Sequence, residues 1–181
     1  MAEYARSELR LDKVIFIPTY TPPHKESVNL LSEEHRLKMC RIACEVSNSF
    51  EVSEIETERK GKSYSCDTLT SLKEIYPEDE LYFIMGADMF LCLEKWKNPE
   101  IIFEKAEIIA IPRNTNEANE LEQYYYSVLK DMGARAHILP KSVVQVSSTF
   151  IRENIEDKNS ALKFLNENVY KYIVENNLYR K

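Results

Sequence analysis

Phosphate chemistry is suggested first by a run of hydroxyl groups that ends in an arginine, Ser147-Ser148-Thr149-Phe150-Ile151-Arg152. If a helix starts within this run, the amides of its first turn and its dipole favour a negative charge. An arginine one turn later donates hydrogen bonds to phosphate oxygens. Ser148, Thr149 and Arg152 are therefore candidate phosphate-binding residues. The alternative is an ordinary serine N-cap beside a surface arginine.

A second group combines a glycine, a carboxylate and the only tryptophan of the chain. Gly86-Ala87-Asp88 follows an apolar run, and Trp96 comes shortly after it. A glycine at the end of a strand lets a ligand approach the backbone, and Asp88 is suited to accept hydrogen bonds from ribose hydroxyls. The indole of Trp96 is suited to stack on an electron-poor ring such as a pyridinium. A capping aspartate and a core tryptophan are the competing interpretation.

Two loops add positive charge to these candidates. Pro22-Pro23-His24-Lys25 presents a titratable and a cationic side chain on a segment stiffened by prolines. Residues 59–62 place an arginine and two lysines around Gly61. Either loop is suited to attract phosphate, and either is equally consistent with a solvated surface.

The scaffold that would bring these residues together is predicted by the hydrophobic pattern. Short apolar or alternating runs predict strands at Val14–Ile17, Phe50–Ile55, Leu81–Met85, Ile108–Ile111 and Ala136–Leu139. Helical patterns are predicted at residues 2–11, 32–46, 67–76, 98–105 and 121–132 and again from 148 onward, with a charged loop at 56–65. This alternation predicts an α/β fold with a doubly wound, mostly parallel sheet and C-terminal helices. Ligands bind beyond the carboxyl ends of such strands, which is where Lys25, Asp88 and Arg113 fall.

Composition narrows the class of protein. A chain of 181 residues that is 44% apolar fits one domain, with 148–181 as a C-terminal helical portion. A net charge of -6 argues against nucleic acid as the main partner. Without a membrane-span or signal-peptide pattern, we expect a cytoplasmic protein that does not bind membranes. Zinc-ligand spacing is absent from the four cysteines, so we expect no protein-held metal; they are Cys40, Cys44, Cys66 and Cys92.

Taken in order, these segments closely resemble the motifs of the nicotinate-nucleotide adenylyltransferases, within the nucleotidyltransferase superfamily. The resemblance extends to residues 178–180 and is carried by Ile17-Pro18-Thr19, Pro22-Pro23-His24-Lys25, Gly61-Lys62-Ser63-Tyr64-Ser65, Asp67-Thr68-Leu69, Gly86-Ala87-Asp88, Trp96 and the run from Ser147 to Arg152. It implies a Rossmann-like nucleotidyltransferase fold. It also implies transfer of AMP from ATP to nicotinate mononucleotide, giving nicotinate adenine dinucleotide and pyrophosphate in NAD biosynthesis.

For the pyridine nucleotide, the resemblance implies four binding residues. Trp96 would stack on the pyridine ring, and Asp88 would contact a ribose. Ser65 and the backbone near Lys97 would hold the nicotinate carboxylate. Ser65 stands where the family often has threonine, and the hydroxyl is retained.

For ATP, the resemblance implies that Ser148, Thr149 and Arg152 bind the phosphates, with Arg152 as the catalytic candidate. Lys25 and Arg113 would lie near phosphate groups. Magnesium would enter on the ATP phosphates rather than in a protein cage, in keeping with the strong hydration of this ion.

One family segment has no counterpart in this sequence. The family opens with a strand and a G-T-F-D-P-x-H-x-G-H-like stretch whose two histidines stabilise the phosphates during transfer. His24, His35 and His137 do not match that pair, so no catalytic histidine is predicted. Nucleotidyl transfer depends on positioning and charge stabilisation, so we expect poor turnover from a chain that lacks this first strand. Either the start is internal to a longer gene product, or the form is crippled.

Two alternatives stay open on the sequence. The first is a sister adenylyltransferase acting on nicotinamide mononucleotide or on phosphopantetheine, against which Trp96 with Ser65 favours a carboxylated pyridine. The second is a non-catalytic nucleotide-binding remnant, which the unmatched histidine motif favours.

Overall fold

A computed structural model describes residues 1–23, 30–140 and 147–179 of the chain. The chain divides into two compact units. The first unit comprises Met1–Asp12, Thr19–Ser27 and Arg59–Val144. The second comprises Lys13–Pro18, Val28–Glu58 and Gln145–Lys181.

Strands and helices alternate along much of the chain. The strands are β1 (Val14–Phe16), β2 (Phe50–Val52), β3 (Tyr82–Gly86), β4 (Glu107–Ile111) and β5 (Ala136–Ile138). The helices are α1 (Ala2–Leu9), α2 (Glu33–Cys44), α3 (Ile55–Arg59), α4 (Ser65–Ile75), α5 (Ala87–Phe90), α6 (Pro99–Lys105), α7 (Thr115–Tyr124), α8 (Ser148–Glu153), α9 (Lys158–Ala161) and α10 (Glu167–Glu175). A 3₁₀ turn at Leu93–Lys95 precedes α6, and a π-helical turn at Tyr125–Leu129 extends α7.

The first unit is built on a parallel sheet in the order β3-β4-β5. Its central strand β4 is apolar from Ile108 to Ile111, and these four residues are at most 1% exposed. A strand covered on both faces requires such a continuous apolar run. Helix α1 packs here, since Ala5 shares a buried cluster with Ile109, Ile111 and Leu139.

The second unit contains a parallel pair, β1 and β2, in which Val14 lies opposite Phe50 and Phe16 opposite Val52. Helices α2 and α10 pack together around a separate buried cluster. That cluster contains Ile155, Ala161, Val169, Ile173 and Leu178. Sequence patterning predicted both helices, and the structure confirms them.

The α/β class and the parallel pairing are confirmed, but several element boundaries were wrong. Residues 56–65 were predicted as a loop, whereas α3 forms at Ile55–Arg59 and β2 ends at Val52. The hydroxyl of Thr57 donates to the carbonyl of Glu54 at 2.8 Å, and Thr57 is buried in spite of its polarity.

Helix α7 was predicted to begin near Leu121, but it begins at Thr115. The reason is a side-chain cap: the Asn114 side chain accepts a hydrogen bond from the amide of Glu117 at 3.0 Å. Within the described residues, no helix is both long enough and apolar enough to cross a bilayer.

Candidate active site

Asp88 and Arg113 meet at the carboxyl end of the sheet in the first unit. Gly86, the last residue of β3, lies opposite Ile111, the last residue of β4. The segments that lead from β3 into α5 and from β4 into α7 therefore leave the sheet side by side. The guanidinium of Arg113 donates to the Asp88 carboxylate, and both side chains are exposed. The sequence placed these two residues at one end of the sheet, and the structure joins them in an ion pair.

Trp96 is half-buried between the 3₁₀ turn and α6. Its amide donates to the carbonyl of Leu93 at 3.1 Å. Its ring meets Phe83 of β3 edge-on, with centroids 6.1 Å apart. Trp96 is therefore fixed against the sheet, yet it is not a fully buried core residue.

Ser65 begins α4, two residues earlier than the predicted helix start at Asp67. The ammonium of Lys97 lies 3.1 Å from a carboxylate oxygen of Asp67 and 4.2 Å from the centroid of the Tyr64 ring. Lys97 thus reaches the turn of helix that contains Ser65. Sequence analysis predicted a role for the backbone near Lys97, and it did not predict the contact of the Lys97 side chain with Asp67.

The proline-rich loop and the basic loop are joined through Ser63. Thr21 pairs with Lys62 in a parallel bridge, and the Ser63 hydroxyl accepts from the amide of Tyr20 at 2.9 Å. Gly61 adopts a left-handed φ of 74° at this turn. Ser63 is buried, so its role is to connect the two loops. Lys25, predicted to lie near phosphate, falls outside the described residues, and so does His24.

The hydroxyl and arginine run lies in the second unit and begins α8, as predicted. Ser147 is the N-cap, with its hydroxyl accepting from the amide of Phe150 at 2.9 Å. Ser148, Thr149 and Arg152 are all exposed, and Arg152 donates to the Thr149 hydroxyl at 3.2 Å. The structure therefore brings these three candidates onto one short helix. They belong to the second unit, whereas Trp96 belongs to the first.

Comparison with known proteins identifies the family. The sequence profile of the cytidylyltransferase-like family matches residues 1–154. A protein of Carboxydothermus hydrogenoformans named "probable nicotinate-nucleotide adenylyltransferase" is 40% identical over 182 residues, covering 99% of this chain and 89% of that protein. One of Lachnoclostridium phytofermentans with the same name is 35% identical, covering 99% of this chain and 90% of that protein. The chain belongs to the nicotinate-nucleotide adenylyltransferase family.

Solved structures agree with this family at the level of the fold. The Plasmodium falciparum nicotinic acid mononucleotide adenylyltransferase, complexed with NaAD, matches 98% of this chain and 89% of its own with a TM-score of 0.74. The same enzyme complexed with APC matches with a TM-score of 0.75. Sequence identity is 19% in both cases, so these likenesses establish the fold alone. The Rossmann-like prediction of the fold is confirmed. The named relatives, rather than these structures, show that the chain is a nucleotidyltransferase enzyme.

In this adenylyltransferase-family chain, each of the two described histidines has a hydrogen-bond partner outside the set of candidate residues. His35 lies in α2 and is joined to the Tyr172 hydroxyl by a 2.9 Å hydrogen bond. His137 lies in β5 with its Nε2 2.7 Å from the Glu107 carboxylate. Glu107 is at the start of β4, the end of the strand opposite to Arg113.

The described ranges contain no group of three or more His, Cys, Asp or Glu side chains placed to hold a metal ion. The carboxylate of Asp88 is engaged by Arg113, and that of Asp67 by Lys97. Both acidic groups of the first unit's candidate site are therefore neutralised by a cation of the chain.

Proposed function

We propose that this protein transfers AMP from ATP to nicotinate mononucleotide, giving nicotinate adenine dinucleotide and pyrophosphate. The observation that carries the proposal is the match to relatives of that name over 99% of the chain, at 35% and 40% identity. A match of this extent includes all the candidate residues described above. The proposed substrates are cytoplasmic metabolites, so we infer a cytoplasmic enzyme that acts on small molecules.

Trp96, Ser65 and Lys97 form the proposed pyridine site. The half-buried indole of Trp96 is held edge-on by Phe83, which fixes its plane for stacking on a pyridinium ring. Lys97 follows Trp96 directly, and its side chain reaches the helical turn of Ser65. The Ser65 hydroxyl is suited to donate to a carboxylate, which favours nicotinate over nicotinamide.

Asp88 and Arg113 form the proposed ribose and phosphate site. In the free chain they neutralise each other. On binding, ribose hydroxyls donate to Asp88, and the mononucleotide phosphate accepts from the guanidinium of Arg113. The ion pair between Asp88 and Arg113 is thus replaced by two contacts with the substrate. Both charged side chains therefore keep a hydrogen-bond partner when the substrate binds.

ATP is proposed to bind as its magnesium complex, with its phosphates held by Ser148, Thr149 and Arg152. The mononucleotide phosphate attacks the α-phosphorus in line, the new P–O bond forms, and pyrophosphate leaves. No covalent enzyme intermediate is involved. The contribution of the protein is orientation and neutralisation of negative charge, with Arg152 facing the phosphates that become the leaving group.

Pyrophosphate release by the 181-residue chain, supplied with ATP, magnesium and nicotinate mononucleotide, tests this function. We expect pyrophosphate and dinucleotide to form in equal amounts. Faster turnover with nicotinamide mononucleotide or phosphopantetheine would favour a sister enzyme. Calorimetric binding of ATP or the mononucleotide without turnover would favour a nucleotide-binding protein that is not a catalyst.

The pyridine assignment is tested by Trp96→Ala. Loss of a stacked indole is expected to weaken nicotinate mononucleotide binding by about tenfold, because stacking and cation–π contacts together contribute on the order of 1–2 kcal/mol. ATP binding, measured by calorimetry on the same variant, is expected to stay unchanged. Trp96→Phe serves as the matched control and should lose less. An equal loss for both ligands contradicts the assignment.

A further inference from the structure

A contact near the proposed pyridine site links two parts of the first unit that are 30 residues apart in sequence. The Lys97 ammonium lies 3.1 Å and 3.4 Å from the two oxygens of the Asp67 carboxylate. It also lies over the Tyr64 ring, 4.2 Å from the centroid. Tyr64 and Asp67 flank Ser65 in the chain, so the ammonium is anchored on both sides of that residue.

The segment that contains Trp96 is short and irregular. It connects a 3₁₀ turn to α6, and Asn98, the N-cap of α6, has a left-handed φ of 49°. The backbone bond from Trp96 to Leu93 fixes this segment to its own turn. The Phe83 ring fixes it to β3. The Lys97 side chain joins it to the start of α4, and α4 and α6 also pack against each other.

Both partners of this ion pair are suited to a lasting contact. The hydrogen bond to Asp67 raises the pKa of Lys97 above its ordinary value, although desolvation acts in the opposite direction, so the ammonium keeps its charge at neutral pH. The Asp67 carboxylate also accepts from the Cys66 thiol at 3.5 Å. With Lys97 and Cys66 as its partners, Asp67 is placed to hold protein groups rather than substrate.

We propose that Asp67 is a positioning residue of the pyridine site: by pairing with Lys97, it holds the Trp96 segment against the start of α4, beside Ser65. This inference rests on the proposed function for the identity of the substrate. The ring that stacks on the pyridine and the hydroxyl that binds its carboxylate lie on different elements, and the ion pair fixes the spacing between them. A correct spacing lowers the KM for a ligand that must touch both elements at once.

Asp67→Asn keeps the size of the side chain and removes its charge. We expect the KM for nicotinate mononucleotide to rise about three- to fivefold, a magnitude typical of partly exposed ion pairs. The KM for ATP and the kcat are expected to stay the same. Asp131→Asn makes the same chemical change at an exposed position of the first unit and should change nothing.

The charge-swapped variant, Asp67→Lys with Lys97→Asp, should recover most of the lost affinity if the pair acts through its charges. Trp96 is the only tryptophan, so its fluorescence reports on the segment without substrate. We expect acrylamide to quench Trp96 about twofold more readily in Asp67→Asn, and near-normal quenching in the swapped variant.

The fluorescence measurement separates this inference from the proposed function. If quenching changes as expected while nicotinate mononucleotide is not turned over, the positioning role stands and the proposed substrate is wrong. If turnover is normal and neither quenching nor KM changes, Asp67 is not a positioning residue. A parallel rise of both KM values would also overturn the inference, because it would show a general effect on the fold.

Discussion

At the carboxyl end of β3, the conformation and surroundings of Gly86 bear on why this position is a glycine. Gly86 has φ −83° and ψ 166°, which any residue adopts. Among the described residues, a Cβ at this position would meet only the end of the Met1 side chain, at 3.9 Å, which is an ordinary contact. Neither backbone strain nor internal packing therefore requires glycine here. We propose that the glycine allows close approach by a bound nucleotide.

Gly86→Ala tests that reason. We expect the free energy of unfolding, measured in urea, to rise by about 0.5 kcal/mol, because alanine reduces the entropy of the unfolded chain at a compatible conformation. The KM for the nucleotide that passes this backbone should rise about tenfold, because the added methyl group occupies its path. Unchanged kinetics would show that no ligand approaches Gly86. A clear loss of stability would show that the glycine serves packing.

The pairing of site residues was less predictable than their positions. Asp88 and Arg113 were placed at one end of the sheet because each directly follows an apolar run, and that inference needs only the strand pattern. Their mutual ion pair depends on the register of β3 with β4, which the sequence does not reveal. The contact of Asp67 with Lys97 was missed for the same reason, since it joins residues through the tertiary placement of an irregular turn.

Among the elements, those with a strong local signal were predicted. Strand β4 was found from its uninterrupted apolar run, and α6 from the helical pattern at residues 98–105. Helix α3 was missed because its residues are polar, and the burial of Thr57 that accompanies it comes from the tertiary fold. The early start of α7 did have a sequence signal: Asn114 is followed three residues later by Glu117, the pattern of a capped helix.

Helix α10 depends on a side-chain cap that can be removed without touching the core. The Asn166 side chain accepts from the amides of Asn168 at 2.8 Å and of Val169 at 3.4 Å. Asn166→Ala is expected to lower the free energy of unfolding by about 1 kcal/mol, because first-turn amides lose their acceptor. Asn166→Asp keeps an acceptor at this position and should retain most of the stability in the same urea titration. Equal losses in both variants would show that the amide contributes through another contact.

On the scale of the whole molecule, the two units are interleaved along the chain. The chain enters the second unit at Lys13, returns to the first at Thr19 and crosses again at Val28, Arg59 and Gln145. A single cut therefore cannot separate them, in contrast to domains joined by one linker. The proposed pyridine residues belong to the first unit, and the proposed ATP-phosphate residues Ser148, Thr149 and Arg152 belong to the second.

Each unit nevertheless has a buried cluster of its own, which gives a test of how they unfold. Ile109 is fully buried in the first unit, and Ile173 is 3% exposed in the second. Changing either residue to alanine should lower the free energy of unfolding by about 2–5 kcal/mol, because buried apolar surface is lost and a cavity is left behind. Because the clusters are separate, we expect Ile173→Ala to speed amide hydrogen exchange mainly in α2 and α10, and Ile109→Ala mainly in β3 and β4. Exchange that rises equally in both units for either variant would show that the interleaved chain opens as one cooperative block.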